Sequence, residues 1–116
     1  MSVLKWNSIL LAMGLIVPAA AFGGPLYCGG TVSRIFVDSV GDVIVLSSWR
    51  GDFTQVCSLK GSWNSIDTTT CSVWYSMLEV AYHDQKPVTI YYPSADSCAT
   101  LPTYGSSLAP EYVMLN

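Results

Sequence analysis

Hydrophobic and polar residues alternate in short segments along most of this chain, a pattern typical of β-strands. Three consecutive segments are rich in β-branched and aromatic residues: 31–37, 43–49 and 53–59. Turn residues at 38–42 (DSVGD) and 50–52 separate them. A fourth segment (88–92) and a fifth (112–115) flank a connection rich in Ser, Pro and Gly. The pattern predicts a meander of three adjacent strands followed by two later strands.

Between the third and fourth segments, the spacing of apolar residues changes to that of an α-helix. One predicted helix face carries Cys71, Trp74, Met77, Leu78, Ala81 and Tyr82. The hydroxyls of Thr68, Thr69 and Thr70 are candidates for the helix N-cap, and Pro87 predicts that the helix ends before it. We expect Trp74 to lie in the core or in a subunit interface.

The predicted order of elements is β-β-β-α-β-β. This is the arrangement of the OB-fold, a five-stranded Greek-key barrel with its helix between the third and fourth strands. We therefore expect a mostly β domain with one helix, folded as an OB-like five-stranded barrel. A generic α+β sandwich has the same order of elements and is the alternative.

The first 21 residues have the three parts of an export signal. Lys5 supplies positive charge, residues 9–17 are apolar, and Ala19-Ala20-Ala21 matches a cleavage site. Cleavage after Ala21 leaves one domain, residues 22–116, which we expect to be secreted or periplasmic. A transmembrane anchor is the alternative, but a nine-residue helix extends only about 14 Å against a hydrocarbon core of about 30 Å. We therefore expect no membrane anchor.

Four cysteines follow the export signal, at positions 28, 57, 71 and 98, and export to an oxidising compartment favours disulfides. Four cysteines allow three pairings. The barrel arrangement favours Cys57–Cys71, which ties the third strand to the helix start. It also favours Cys28–Cys98, because the first strand would run antiparallel to the fourth. Zinc is the alternative, but the spacing contains no CxxC and the chain has one histidine, so we expect no metal or cofactor.

The exported domain is acidic: its four basic residues stand against eight acidic ones, a net charge of −4. This balance lacks the basic surface that nucleic-acid binding requires. Catalysis is not indicated either, because His83 is the only histidine and lies at the predicted helix end. A carboxylate pair, as in glycoside hydrolysis, is the remaining catalytic alternative, although the acidic residues lie mostly in turns. We expect a binding protein and not an enzyme.

Residues 56–92 (VCSLKGSWNSIDTTTCSVWYSMLEVAYHDQKPVTIYY), about a third of the chain, resemble the B subunits of bacterial toxins of the subtilase-cytotoxin and typhoid-toxin type. The shared layout is a strand carrying a cysteine, a helix ending in an alanine-aromatic stretch, a polar turn and a β-rich strand. The resemblance implies an OB-fold, secretion and a homo-oligomeric ring of five. It also implies binding of sialylated or other host glycans, and a catalytic A subunit as a partner.

Aromatic residues beside polar ones are the candidates for ligand binding. Sugars present apolar C–H faces flanked by hydroxyls, so a sugar site pairs an aromatic ring with Asp, Asn, Ser or Arg. Three places fit: Trp49 with Arg50 and Asp52, Trp63 with Asn64, and Tyr104 in the long connection. Alternatively, the two tryptophans only cover the barrel ends. Arg50-Gly51-Asp52 also spells the integrin-binding tripeptide, so a small exported protein-binding module, an inhibitor or an adhesin, is the alternative function.

Strand alternation also makes a prediction for the fourth strand. Val88, Ile90 and Tyr92 share one face of this strand, while Thr89 and Tyr91 share the other. We therefore expect one of the two tyrosines to point outward.

Overall fold

The computed structural model describes residues 23–116, and the predicted export signal with its cleavage site lies outside them. The described chain is mostly β with one helix, as predicted. Its elements are β1 (Gly24–Gly30), β2 (Val32–Val37), β3 (Asp42–Ser47), β4 (Thr54–Ser58), α1 (Thr68–Asp84), β5 (Val88–Ala95) and β6 (Tyr112–Leu115), with a 3-10 turn at Cys98–Thr100. Within this part of the chain, no helix is both long and apolar enough to span a bilayer.

The strands form two antiparallel sheets of three strands instead of one closed five-stranded barrel. Sheet A has the order β1-β5-β6, and sheet B has the order β2-β3-β4. All five predicted strands are present, but β1 is an additional strand that the sequence pattern does not predict. Its sequence, GPLYCGG, contains three glycines and a proline, residues that are depleted in strands. Pairing with β5 and a disulfide hold it in the sheet.

The chain crosses from sheet A to sheet B between β1 and β2. Gly30 has a φ of +155°, and a Cβ at this position would collide with the Ser48 hydroxyl. That hydroxyl accepts a hydrogen bond from the Thr31 N–H (3.0 Å), and the Ser48 N–H donates to the Thr31 carbonyl (2.9 Å). The crossing therefore requires a residue without a side chain.

The loop that precedes β6 lies along the outer edge of β4. The Tyr104 N–H donates to the Phe53 carbonyl (3.1 Å), as part of a parallel bridge between Thr54 and Tyr104. The Gln55 N–H donates to the Ser107 hydroxyl (2.9 Å). These hydrogen bonds occupy the edge at which a closed barrel would pair β4 with the last strand, so β4 pairs with this loop and not with β6.

Helix α1 lies where the spacing predicts it, but its buried stripe is narrower than predicted. The residues buried on it are Cys71, Trp74, Leu78 and Ala81. Met77 is only partly buried, and Tyr82 is 43% exposed. Trp74 therefore belongs to the core.

The N-cap of α1 is Asp67 and not a threonine. The Asp67 carboxylate accepts a hydrogen bond from the Thr70 N–H at 2.7 Å, and this bond lowers the pKa of Asp67. An ionised carboxylate is a stronger acceptor than a hydroxyl, and its charge complements the positive end of the helix dipole. These two effects explain why the carboxylate caps the helix although three threonines follow it.

Both predicted disulfides are present. Cys57 of β4 is bonded to Cys71 of α1, with Cα atoms 5.5 Å apart, and Cys28 of β1 is bonded to Cys98 of the 3-10 turn, with Cα atoms 5.7 Å apart. The first bond ties the helix to sheet B. The second ties the connection that follows β5 to sheet A.

An apolar core lies between the two sheets and α1. Tyr92 of β5 is one of its largest side chains and is 2% exposed. Burial raises the pKa of the Tyr92 phenol to about 12, and a hydrogen bond with Thr54 offsets part of this rise. The folded state therefore favours the neutral phenol.

We expect the domain to lose stability in alkali through Tyr92. Its pKa is about 12 in the folded state, against about 10 in an unfolded chain. The stabilisation is complete below pH 10 and is lost as the pH rises through 12, with about 1 kcal/mol gone by pH 11. Urea unfolding of the wild type and of Tyr92→Phe between pH 9 and 11 should show a shallower decline in the variant. Tyr27→Phe, at an exposed position, is the control; a Tyr92→Phe decline as steep as that of the wild type would contradict the assignment.

Candidate functional site

Three tyrosines stack in a row across the outer face of sheet A. Tyr27 of β1, Tyr91 of β5 and Tyr112 of β6 occupy directly paired positions of the three strands. The ring centroids of Tyr27 and Tyr91 are 4.7 Å apart, and those of Tyr91 and Tyr112 are 5.1 Å apart. Adjacent residues such as Ile90 face the core, so alternation directs the three rings away from it. We call this row the tyrosine ladder.

The tyrosine ladder presents an aromatic surface to solvent. Tyr27 is 63% exposed, and Tyr91 and Tyr112 are half-buried. Partial burial, with the nearby Tyr27, Glu111 and Tyr112, raises the pKa of Tyr91 above its ordinary value. Tyrosine rings have few rotatable bonds and an amphipathic surface, so they supply contact area at low entropic cost. Stacking at these distances turns the rings toward one another, so the faces left free for a ligand are the outer faces of Tyr27 and Tyr112 at the two edges of sheet A.

A polar depression of about 270 Å³ lies beside the Tyr112 end of the ladder. Its polar lining includes Asn64, Ser65, Asp67 and Glu111. Glu111 connects the depression to the ladder, because it lines the depression and its carboxylate is close enough to the Tyr91 phenol to raise the pKa of that group. We call this concavity the polar depression.

A tight turn forms one wall of the polar depression. Trp63 and Ile66 exchange two backbone hydrogen bonds of 3.0 and 2.9 Å, and the residues between them have φ values of +48° (Asn64) and +71° (Ser65). Positive φ at both central positions is the signature of a type I′ turn, which favours Asn first and Gly second. Ser65 thus has a backbone conformation that side chains seldom adopt. The turn holds an exposed amide and an exposed hydroxyl in a fixed geometry.

The predicted binding residues fall into two groups. Asn64 lines the polar depression, and Trp63 is half-buried beside it against the core. The others lie on the loop after β3 and on the loop along the edge of β4: Trp49, Arg50, Asp52 and Tyr104. The structure therefore brings only Asn64 close to the tyrosine ladder.

Both charged side chains of the Arg50-Gly51-Asp52 tripeptide contact backbone atoms of the same chain. The Arg50 Nε donates to the Leu101 carbonyl at 2.9 Å, and an Asp52 carboxylate oxygen accepts the Phe53 N–H at 2.8 Å. Gly51 is exposed. These contacts order the loop and leave fewer donors and acceptors of the tripeptide for a partner.

The aromatic residues near this loop differ in exposure. Trp49 is half-buried against the core, and its Nε1 is enclosed without a hydrogen-bond partner among residues 23–116. Tyr104 is 46% exposed and adopts a φ of +49°. Its ring contacts Phe53, which in turn contacts Phe36, with centroids 5.9 and 5.6 Å apart. This second aromatic cluster also has three rings, but their planes are inclined at 42° and 67° and do not stack in one row.

A shallow groove of about 630 Å³ lies between α1 and β2. Its polar side chains pair with one another: the Tyr75 hydroxyl donates to Glu79 at 3.1 Å, and His83 lies 3.3 Å from Asp84. No group of three or more His, Cys, Asp or Glu able to hold a metal ion occurs in the part of the chain that the structure describes. The groove offers no stacked rings, so it is a weaker candidate than the ladder.

The sequence pattern does not identify Tyr27 and Tyr112 as site residues. Strand alternation predicts one outward tyrosine in residues 88–92, and this is Tyr91. Tyr27 lies on a strand that the pattern does not predict, and the pairing of β6 with β5, which brings Tyr112 to the row, is not visible in the sequence. The available signal was a tyrosine in each of three segments, but these segments are neighbours only in the folded sheet.

Comparisons of this chain with protein-family models, curated proteins and solved structures found no match. The geometry and chemistry of the site are therefore the basis for a functional proposal. Of the surfaces described above, only the tyrosine ladder with its polar depression combines stacked rings with adjacent hydrogen-bonding groups.

Proposed function

We propose that this protein is an exported, non-catalytic recognition module that binds glycans on the tyrosine ladder. The observation that carries the proposal is the row of three stacked rings on an open sheet face. A sugar ring stacks its apolar C–H face on an aromatic ring and directs its hydroxyls to polar groups at the rim. The outer faces of Tyr27 and Tyr112 supply the aromatic surfaces, and Asn64, Ser65 and Glu111 supply the polar groups near the Tyr112 end.

The proposal includes an OB-like barrel that is only partly closed. Three observations support it: β1 and β2 are nearly continuous, β1 pairs antiparallel with β5, and a parallel bridge joins Thr54 to Tyr104. OB-folds are partly open barrels used for oligosaccharides as well as oligonucleotides. The resemblance of residues 56–92 to toxin B subunits supports the same fold and a glycan ligand.

Export to a secreted or periplasmic location is also part of the proposal. The two disulfides support it, because such bonds persist in oxidising compartments and are rare in the cytosol. The sequence of the first 21 residues supports it independently.

Assembly into a homo-oligomeric ring, with a catalytic A subunit as a partner, completes the proposal. The resemblance to toxin B subunits supports both. Linked copies of a weak sugar site gain avidity without any new contact, so a ring would suit glycan recognition. Light scattering of the purified protein measures the assembly directly; a monomer would remove the ring from the proposal and leave the sugar site in place.

We expect Tyr27→Ala to weaken glycan binding at least about fivefold. Tyr27 is the most exposed ring of the ladder and belongs to an edge strand, so its removal takes away platform area with little loss of packing. Stacking of a nucleic-acid base on an aromatic ring contributes about 1–3 kcal/mol, and a sugar face should gain a comparable amount. A glycan array identifies a ligand, and titration calorimetry then compares the variant with the wild type.

Two further variants give this experiment its controls. Tyr82→Ala removes a tyrosine that is 43% exposed on α1, away from the ladder, and should bind like the wild type. Tyr104→Ala tests the second aromatic cluster. The proposal is contradicted if no glycan binds, or if Tyr104→Ala abolishes binding while Tyr27→Ala does not. Cell adhesion that is lost in Asp52→Glu would instead support the alternative function, a protein-binding module acting through the tripeptide.

A further inference from the structure

We infer that the ligand of the tyrosine ladder is an uncharged glycan and that terminal sialic acid weakens binding. This inference rests on the proposed function and narrows it to one class of substrate. It follows from the charges that surround the ladder, and it selects one of the two ligand classes, sialylated or other glycans, that the toxin resemblance implies.

The polar groups beside the ladder carry negative charge. Glu111 lines the depression, and its carboxylate is close enough to Tyr91 to act on that phenol electrostatically, so it belongs to the border between ladder and depression. Asp67 lines the same depression. Carboxylates accept hydrogen bonds from sugar hydroxyls but repel the carboxylate of a sialic acid.

The basic residues of the described chain lie on other parts of the molecule. None of them belongs to β1, β5 or β6. Arg34 is on β2 of sheet B, Arg50 is bonded to the Leu101 carbonyl, and Lys60 lies against Gly41 in the β2–β3 turn. Lys86 precedes Tyr91 by five residues, about 16 Å along an extended strand. No cation is therefore placed to neutralise an anionic sugar on the rings.

The N-terminus of α1, near the depression, attracts anions, but the Asp67 carboxylate of the protein already occupies it. The N-terminus of α1 opens toward this concavity, where the positive end of the helix dipole and free backbone N–H groups attract negative charge. The Asp67 carboxylate accepts the Thr70 N–H at 2.7 Å, and its lowered pKa keeps it ionised. A ligand carboxylate would have to displace this side chain.

The experiment compares pairs of glycans that differ only in a terminal sialic acid. An array carries neutral oligosaccharides, each beside its sialylated form, and calorimetry then measures the best pair at low and physiological salt. We expect the neutral member to bind at least fivefold more tightly. The difference should shrink as salt rises, because screening weakens the repulsion between exposed charges.

Charge-neutralising variants test the physical cause. Glu111→Gln and Asp67→Asn each remove one carboxylate, and asparagine is as good an N-cap as aspartate, so the fold is retained. Each variant should reduce the preference for the neutral glycan by twofold or more. Glu79→Gln, on α1 away from the ladder, is the control and should leave the preference unchanged.

The outcomes separate this inference from the proposed function. Equal or tighter binding of sialylated glycans, lost in Tyr27→Ala, would overturn the inference and leave the proposed function standing. Absence of binding to any glycan would overturn both. An unchanged preference in Glu111→Gln and Asp67→Asn would overturn the electrostatic explanation on which the inference depends.

Discussion

Removal of the Cys28–Cys98 bond by Cys28→Ala/Cys98→Ala should destabilise the domain by about 4 kcal/mol on the chain-entropy estimate. The bond spans a sequence separation of 70 residues, so breaking it releases a long loop in the unfolded chain. Small domains have a total stability of about 5–15 kcal/mol, so this loss is a large fraction of the whole. The strand that carries Cys28 is rich in glycine and depends on this bond more than the other strands do.

Urea unfolding, followed by circular dichroism, measures this loss. The matched comparison is Cys57→Ala/Cys71→Ala, which opens a separation of 14 residues and should cost about 3 kcal/mol. We expect the longer loop to give the larger loss. The opposite order would show that local packing, and not chain entropy, sets the contribution of these bonds.

The second large effect is expected for Leu78→Ala, with a loss of about 2–5 kcal/mol in the free energy of unfolding. Leu78 is fully buried in the middle of α1. The helix contacts β2 and β4 of sheet B and β6 of sheet A, so its buried face connects the two sheets. A cavity at this position removes apolar contacts from the core that both sheets share.

Val80→Ala provides the control for this substitution. Val80 lies on the same helix but is 42% exposed, so its truncation should change stability by about 0.5 kcal/mol or less. Urea unfolding of both variants gives the comparison. Because alanine has the highest helix propensity, neither variant should lose stability through propensity. Similar losses in the two variants would therefore contradict the role of the buried face of α1.

Periodic segments were predicted well because their burial follows directly from backbone geometry. Helix α1 and the alternation of residues 88–92 are examples: Leu78 and Ile90 are buried, while Tyr91 faces outward. The disulfide pairing was predicted because four cysteines allow only three arrangements and the strand order favoured one of them. These features depend on the local sequence and on element order.

Strand β1 and the N-cap of α1 were not predicted, because in each case a competing interaction outweighed local propensity. Glycine and proline disfavour a strand at Gly24–Gly30, yet pairing with β5 and the Cys28 bond stabilise it. Asp67 caps the helix in place of the threonines because an ionised carboxylate binds the free N–H groups more strongly.

Within residues 23–116, the sequence by itself determined helix α1, five of the six strands, both disulfides and the outward direction of Tyr91, because each follows from periodicity or from spacing. Only the tertiary structure decided that Tyr27, Tyr91 and Tyr112 stack in one row beside Asn64 and Glu111. Hydrogen bonding between strands distant in the chain sets this register, and no local pattern records which strand pairs with which. For the same reason, the closing edge of β4 is occupied by the loop at Tyr104 and not by β6.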